Sequence, residues 1–152
     1  MRPTLFDYAG GGPAFLALAR SHHQRCLDDP ELNHPFSHPD QHPQHVERLA
    51  AYWAQVLGGP TAYTDGDGTE SGVLRMHAGN GDISDLGRRF VACFDAAMDD
   101  VPLPADPEFR RAMHDYMVWA VDRVLAHDDR ARIADGLAVP HWGWTGLLDA
   151  SG

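Results

Sequence analysis

The chain lacks several features on which whole classes of protein depend. All 12 basic residues are arginine, and 22 acidic residues outnumber them, which leaves a formal net charge of −10. An acidic chain repels phosphate backbones, so we expect no nucleic-acid binding. No apolar run approaches the ~20 residues of a membrane span, and no basic start followed by an apolar stretch marks a secretion signal. We therefore expect a cytoplasmic protein without membrane contact.

Cysteine is scarce and histidine is abundant. Cys26 and Cys93 show no paired spacing of the kind found in metal or redox sites, so we expect both to be buried apolar side chains. The chain has ten histidines in 152 residues. Because histidine is the commonest metal ligand, this excess favours a metal site.

Hydrophobic periodicity predicts helices. Apolar residues recur at spacings of three and four over 13–28, 44–57, 83–98 and 107–126, and the first of these helices buries Phe15, Leu18, Ala19, His22 and Cys26. No run alternates over the length of a strand, so we predict an all-α fold. We expect one domain over 1–127 and a tail over 128–152, in which Trp142 and Trp144 either pack on the core or form a contact surface.

Proline and glycine mark the connections. Three His-Pro pairs over 33–43 predict a rigid connection that is extended or rich in turns, because proline bars the preceding residue from helical geometry. The spacing of His34, His38, His42 and His45 resembles a zinc site, yet the prolines prevent a helix that would align them. The glycine-rich segment 58–72 is predicted to be a long, mobile loop. The Gly-Gly motifs neither follow a strand nor carry the lysine of a phosphate-binding loop, and no nucleophile-elbow motif indicates a Ser-His-Asp site.

Two histidines lie at the ends of the segment 45–77. On the helix that opens it, His45, Leu49 and Tyr52 share one face, Trp53 lies beside them, and Arg48 lies on the flank. Gly58-Gly59-Pro60 stops that helix, and the segment closes with Leu74-Arg75-Met76-His77-Ala78. Imidazoles from two elements, with apolar and aromatic residues between them, are what a buried haem iron needs.

Together these motifs resemble the truncated haemoglobins, the shortened globins with a two-over-two helical sandwich, and within them the second group. The matching pieces are Tyr8-Ala9-Gly10-Gly11, Phe36, the run His45 to Trp53, Gly58-Gly59-Pro60 with Tyr63, and Leu74-Arg75-Met76-His77-Ala78. The resemblance spans roughly residues 5–126. It implies a globin-like fold around haem b (iron protoporphyrin IX), with His77 as the proximal iron ligand.

The resemblance also implies the walls of a haem pocket. Phe36 would wedge against the macrocycle, and Leu49, Trp53, Met76 and Phe90 would complete an apolar box around the macrocycle. Tyr52 is a further expected cofactor-binding residue. Arg48 would reach a haem propionate, since a guanidinium pairs with a carboxylate through two parallel bonds. The alternative for Arg48 is a solvated surface charge. For the apolar residues the alternative is ordinary core packing.

Two residues depart from the pattern of this group. His23 stands where a tyrosine is usual, and Phe90 stands where a tryptophan is usual; both usual residues donate hydrogen bonds to bound dioxygen. The polar groups on the distal side are therefore His45 and His23. We expect an open or water-bound distal site, whereas the alternative is that His45 binds the iron directly.

The first functional hypothesis is a haem globin that binds O2, NO or CO reversibly, in oxygen transport or storage. The alternative is a haem enzyme with His45 and His23 as catalytic residues: a nitric oxide dioxygenase, a peroxidase, or an oxidative step in biosynthesis. A third possibility is a haem-free, globin-like partner protein. We expect a reductase as a partner of the haem protein. The haem protein itself is expected to be a monomer or a homodimer.

Overall fold

The computed structural model describes residues 2–33, 43–80 and 83–148. These residues form seven α-helices, one 3-10 turn and a two-stranded hairpin, in the order α1 (Leu5–Ala9), α2 (Gly12–Asp28), α3 (His45–Val56), α4 (Ala62–Asp65), α5 (Glu70–His77), α6 (Ser84–Asp100), α7 (Pro107–Ala126), the turn Arg130–Arg132, β1 (Trp142–Gly143) and β2 (Gly146–Leu147). The prediction of an all-α fold is confirmed. Each strand of the hairpin has only two residues, which are too few to produce an alternating pattern.

Local sequence signals account for the first two helices. The Thr4 side chain caps α1 by accepting a hydrogen bond from the backbone N–H of Asp7. Gly10 then ends α1 in the left-handed region, at a φ of 117°, which glycine adopts at little cost. Pro13 lies in the first turn of α2, where its missing N–H is not needed.

The core is built from the apolar faces of the four long helices. Helix α2 packs against α3 and α6, and α6 packs against α7. The predicted buried stripe of α2 is confirmed: Phe15, Leu18, Ala19, His22 and Cys26 are all buried. The largest fully buried side chains come from α1, α2, α6 and α7. They include Tyr116, Phe15, Phe94, Phe109 and Leu5.

The segment 58–72, predicted as a long loop, contains α4 and the start of α5, so that prediction is wrong. Gln55 holds α4 against α3, because its side chain donates to Thr64 Oγ1 over 2.9 Å and accepts from the backbone N–H of Thr64 over 3.2 Å. Glycine is required where the segment begins: a Cβ on Gly59 would lie 2.6 Å from Cδ1 of Phe6. A helix of four residues is too short to produce a hydrophobic period.

The hairpin near the end of the chain contacts both α7 and the start of the chain. The indole N–H of Trp142 donates to the Ala112 carbonyl over 3.0 Å, and Trp142 is 8% exposed. The indole N–H of Trp144 donates to the Pro3 carbonyl over 2.8 Å, and the Arg2 guanidinium lies 3.6 Å above its ring. Within the described residues, none of the helices is long and apolar enough to cross a membrane.

Candidate functional site

Two predicted site residues from different helices, His23 and His45, are neighbours. Their ring centroids lie 5.5 Å apart, and Nδ1 of His23 and Nε2 of His45 are shielded from solvent. Burial lowers the pKa of His23 below its ordinary value, because a charged imidazole loses hydration there. The His23 ring is therefore neutral near pH 7 and carries one N–H donor and one acceptor nitrogen.

An aromatic cluster lies beside this pair and is centred on His22, which the sequence analysis treated as a core residue only. The His22 ring lies 4.3 Å from Phe90 and 5.5 Å from Trp53, edge to face in both cases. Its Nε2 is 3.2 Å from the carbonyl oxygen of Phe90. Burial, as the largest cause, lowers the pKa of His22 to about 4. His22 therefore joins two predicted pocket residues as a neutral, buried imidazole.

Helix α5 presents His77 at its last turn, on an exposed edge. The imidazole Nδ1 lies 2.7 Å from the carbonyl oxygen of Val73, one helical turn earlier. A carbonyl only accepts hydrogen bonds, so in the neutral form of the ring Nδ1 carries the proton and Nε2 has the lone pair. The neighbouring Met76 is 62% exposed, which is unusual for a large apolar side chain. This edge of α5 therefore combines an exposed imidazole with an exposed apolar side chain.

A buried ionic cluster connects α3, α5 and α7. Glu70 is 1% exposed, accepts a hydrogen bond of 2.5 Å from the Tyr52 hydroxyl, and lies 3.3 Å from Nε of Arg123. Burial, with nearby charges adding to it, raises the pKa of Tyr52, so its hydroxyl stays protonated and donates. Sequence reasoning placed Tyr52 in the pocket and missed Glu70 and Arg123. A Thr-Glu pair indicates the start of a helix, but its burial depends on the rest of the fold.

The remaining predicted site residues are placed as follows. Arg48 forms an ion pair with Asp67, and its guanidinium lies 5.7 Å from the ring of Tyr63. Leu49 is half-buried and packs against the core. Phe36 lies outside the described residues. The contact of Arg48 with a haem propionate therefore stays a prediction.

The two cysteines, on α2 and α6, lie close enough to interact. Cys26 is buried as predicted, whereas Cys93 is half-buried. Burial raises the pKa of both thiols, which keeps them protonated and unreactive. Within the described ranges no group of three or more His, Cys, Asp or Glu side chains has the arrangement of a metal site. Three of the four histidines considered for zinc lie outside those ranges.

Comparison with known proteins identifies related sequences and structures. A family model described as bacterial-like globin matches residues 4–130. A thermostable haemoglobin from Thermobifida fusca is 28% identical with a TM-score of 0.64, over 81% of this chain and 97% of that one. The haemoglobin of Chloroflexus aurantiacus is 25% identical with a TM-score of 0.68, over 82% and 98% of the two chains.

The group II truncated haemoglobin of Bacillus anthracis is 20% identical, and it superimposes with a TM-score of 0.70 over 82% of this chain and 92% of that one. At this identity the likeness concerns the fold. No curated protein matches the chain. The predicted truncated, two-over-two helical architecture is confirmed.

Proposed function

The chain belongs to the bacterial-like globin family, and from that premise we propose that it is a haem b protein that binds O2 and related diatomic ligands at an iron held by His77. Haem iron, when bound, supplies the coordination position for the diatomic ligand. The observation that carries the proposal is the hydrogen bond from Nδ1 of His77 to the Val73 carbonyl. Because Nδ1 is used in this bond, Nε2 is the nitrogen that would bind the iron.

The residues around His77 fit a haem. A histidine ligand to a metal usually donates its other N–H to a carbonyl or carboxylate, which fixes the ring and raises its basicity. His77 has this bond over 2.7 Å, within its own helix. Met76 and His77 are neighbouring exposed side chains, and a large apolar macrocycle would cover both. Leu49 on α3 and Phe90 on α6 are half-buried and offer apolar surface, whereas Trp53 is buried in the core.

The neighbouring imidazoles of His23 and His45 support binding of a polar diatomic ligand. A neutral imidazole N–H stabilises partial negative charge on such a ligand by about 1–3 kcal/mol, as other hydrogen bonds to charged acceptors do. That range corresponds to roughly one to two powers of ten in affinity. The same position of His45 also suits direct binding to the iron, and the ferric absorption spectrum distinguishes these two states.

The decisive experiment is haemin titration of His77→Gly beside His127→Gly. His127 is a matched control, because its Nδ1 lies 2.7 Å from the Arg123 carbonyl at the end of α7, which is the same local geometry. We expect wild type and His127→Gly to give a Soret band at one equivalent of haemin, and His77→Gly to lose most haem. Added imidazole should restore the band in His77→Gly. Equal haem retention in both variants would overturn the assignment of His77.

A second function, haem-dependent oxidation, is favoured by the pairing of His23 with His45. Two adjacent imidazoles can hold a proton on one ring and pass it to or from a substrate such as peroxide. A carrier would keep a stable oxy spectrum with slow autoxidation. An enzyme would turn over peroxide rapidly or lose the oxy spectrum when nitric oxide is added. Reversible binding of O2, and the reaction of bound O2 with nitric oxide, need ferrous iron, so a reductase belongs to the proposal for these two activities.

A further inference from the structure

Helix α5 carries His77 but is too short to hold its own position. It has eight residues, and isolated helices shorter than about 12–15 residues are only marginally stable in water. Its N-terminus is capped by the Thr69 hydroxyl, which accepts from the backbone N–H of Gly72 over 2.9 Å. The direction of the His77 ring therefore depends on what α5 packs against.

One side of α5 is hydrogen-bonded to residues 128–137. Ser71 Oγ donates to the Ala134 carbonyl over 2.7 Å and accepts from the backbone N–H of Leu137 over 3.2 Å. Just beyond the helix, the backbone N–H of Gly79 donates to the Asp128 carbonyl over 2.9 Å. The segment is thus attached to α5 both at its first turn and after its last turn.

Two arginines strengthen this attachment with charge-assisted bonds. Arg75 Nη2 donates to the Ile133 carbonyl over 2.8 Å and to Asp135 Oδ1 over 2.5 Å. In return, Arg130 Nη2 donates to the Arg75 carbonyl over 2.9 Å. That carbonyl belongs to the last turn of α5, where it also accepts from the backbone N–H of Ala78 over 3.3 Å and where a cation is favourable. These bonds hold the end of the helix that bears His77.

Apolar packing fills the space between these hydrogen bonds. Leu74, Ala78 and Ile133 form a buried cluster, and Leu137 packs against it. Positions 71, 74, 75 and 78 follow the i, i+3, i+4, i+7 pattern of one helix face. Val73 and His77 lie one turn apart on a different face. The segment therefore covers one side of α5 and leaves the side with the imidazole uncovered.

We propose that residues 128–137 are a proximal brace, a segment that positions His77 by fixing α5 from the opposite side. The family model ends at residue 130, so most of the proximal brace lies beyond the part of the chain that matches the family. Arg75 and Arg130 are its positioning residues. Its effect on the iron ligand rests on the proposed haem function, whereas its effect on α5 does not.

The test compares Arg130→Ala and Arg75→Ala with Arg132→Ala. Arg132 belongs to the same 3-10 turn as Arg130, but its side chain is 87% exposed and pairs with Asp129, the N-cap of that turn. Amide hydrogen exchange over residues 70–78 is measured in the full-length variants at matched haem content. Alanine is the best helix former, so a change in helix propensity would slow exchange rather than speed it.

We expect exchange over 70–78 to rise about tenfold in Arg130→Ala, as the loss of one charge-assisted hydrogen bond predicts, and to stay unchanged in Arg132→Ala. In Arg75→Ala, which loses the bonds to both Ile133 and Asp135, we expect a rise at least as large. In haem-loaded ferrous protein, the iron–histidine stretching band should shift or broaden in Arg75→Ala and Arg130→Ala only. Arg130→Ala keeps the test valid if Arg75→Ala does not fold, because Arg130 is an exposed residue whose truncation leaves the core intact.

The outcomes separate this proposal from the haem function. Unchanged exchange and an unchanged stretching band in both brace variants would overturn the proximal brace, even in a protein that binds haem well. A wild-type chain that takes up no haem would overturn the proposed function, and the exchange comparison would still decide whether residues 128–137 hold α5.

Discussion

The rings of His23 in α2 and His45 in α3 lie 5.5 Å apart, tilted by 58° to each other. Their contact is a tertiary one, since α2 and α3 are separated by the proline-rich segment. It places two imidazoles next to each other where α2 packs against α3. A ligand bound beside these rings would meet both imidazoles. We therefore expect that His23 and His45 do not act independently.

We predict that His45→Leu speeds O2 dissociation about 10- to 100-fold, and that His23→Phe does so by a smaller factor. The double variant should depart from the product of the two factors, because residues in contact are energetically coupled. Stopped-flow displacement of O2 by carbon monoxide measures these rates. His141→Leu, an exposed position in the tail, serves as the control. An off-rate that does not change in His45→Leu would exclude His45 from the distal site.

Acid should destabilise the protein through His22. Its pKa is about 4 in the folded chain and 6.5 when unperturbed, so between these values the unfolded chain binds more protons. The contribution of the neutral His22 ring to the free energy of unfolding is fully present above pH 6.5 and is lost as the pH falls towards 4. About 2–3 kcal/mol should be lost between pH 7 and pH 4.5.

His22→Phe keeps an aromatic ring in the cluster and removes the titrating group. Urea unfolding of wild type and His22→Phe at the two pH values gives the difference in unfolding free energy. We expect the variant to show a pH dependence smaller by that amount. Identical pH dependence in both proteins would show that the buried imidazole is not what makes folding acid-sensitive.

The Glu70 cluster should be sensitive to which partner is removed. Tyr52→Phe deletes one hydrogen bond to a charged group, and we expect it to lower the free energy of unfolding by about 1.5–3 kcal/mol. Glu70→Leu leaves the Arg123 guanidinium without its buried carboxylate, and we expect about 3–5 kcal/mol. Urea unfolding measures both, with Glu31→Gln, an exposed acidic position, as the control. The reverse order of the two losses would contradict the buried pair.

Trp142 should stabilise the fold through burial more than through its hydrogen bond. Trp142→Ala should cost about 3–5 kcal/mol, as for other large buried aromatic residues. Trp142→Phe keeps a ring but loses the bond to the Ala112 carbonyl, and should cost less than Trp142→Ala. Leu147→Ala, at a 54% exposed position of the same hairpin, should change stability by less than about 0.5 kcal/mol. Thermal unfolding measures all three, and equal effects of Trp142→Ala and Leu147→Ala would count against a packed hairpin.

The residues of the long helices determine much of this protein by themselves. The apolar spacing from Phe15 to Cys26 depends only on the helical period, and it predicted the buried side of α2. The bounds of α7 were predicted at Pro107 and Ala126, because a proline at the start and a continuous apolar pattern are local signals. The motifs between Tyr8 and Ala78, taken together, were enough to indicate the family.

Only the tertiary structure decided which distant groups meet. Glu70 is buried because Tyr52 and Arg123 satisfy it from two other helices, and no pattern within α5 shows this. The same is true of the attachment of Arg75 to Ile133 and Asp135, and of the contact between the two cysteines. Helical periodicity is set by neighbours three or four residues apart, whereas hydrogen bonds and ion pairs between segments depend on how the whole chain packs. The sequence therefore determined the helices and their buried faces, and the packing decided the partners of the polar side chains between them.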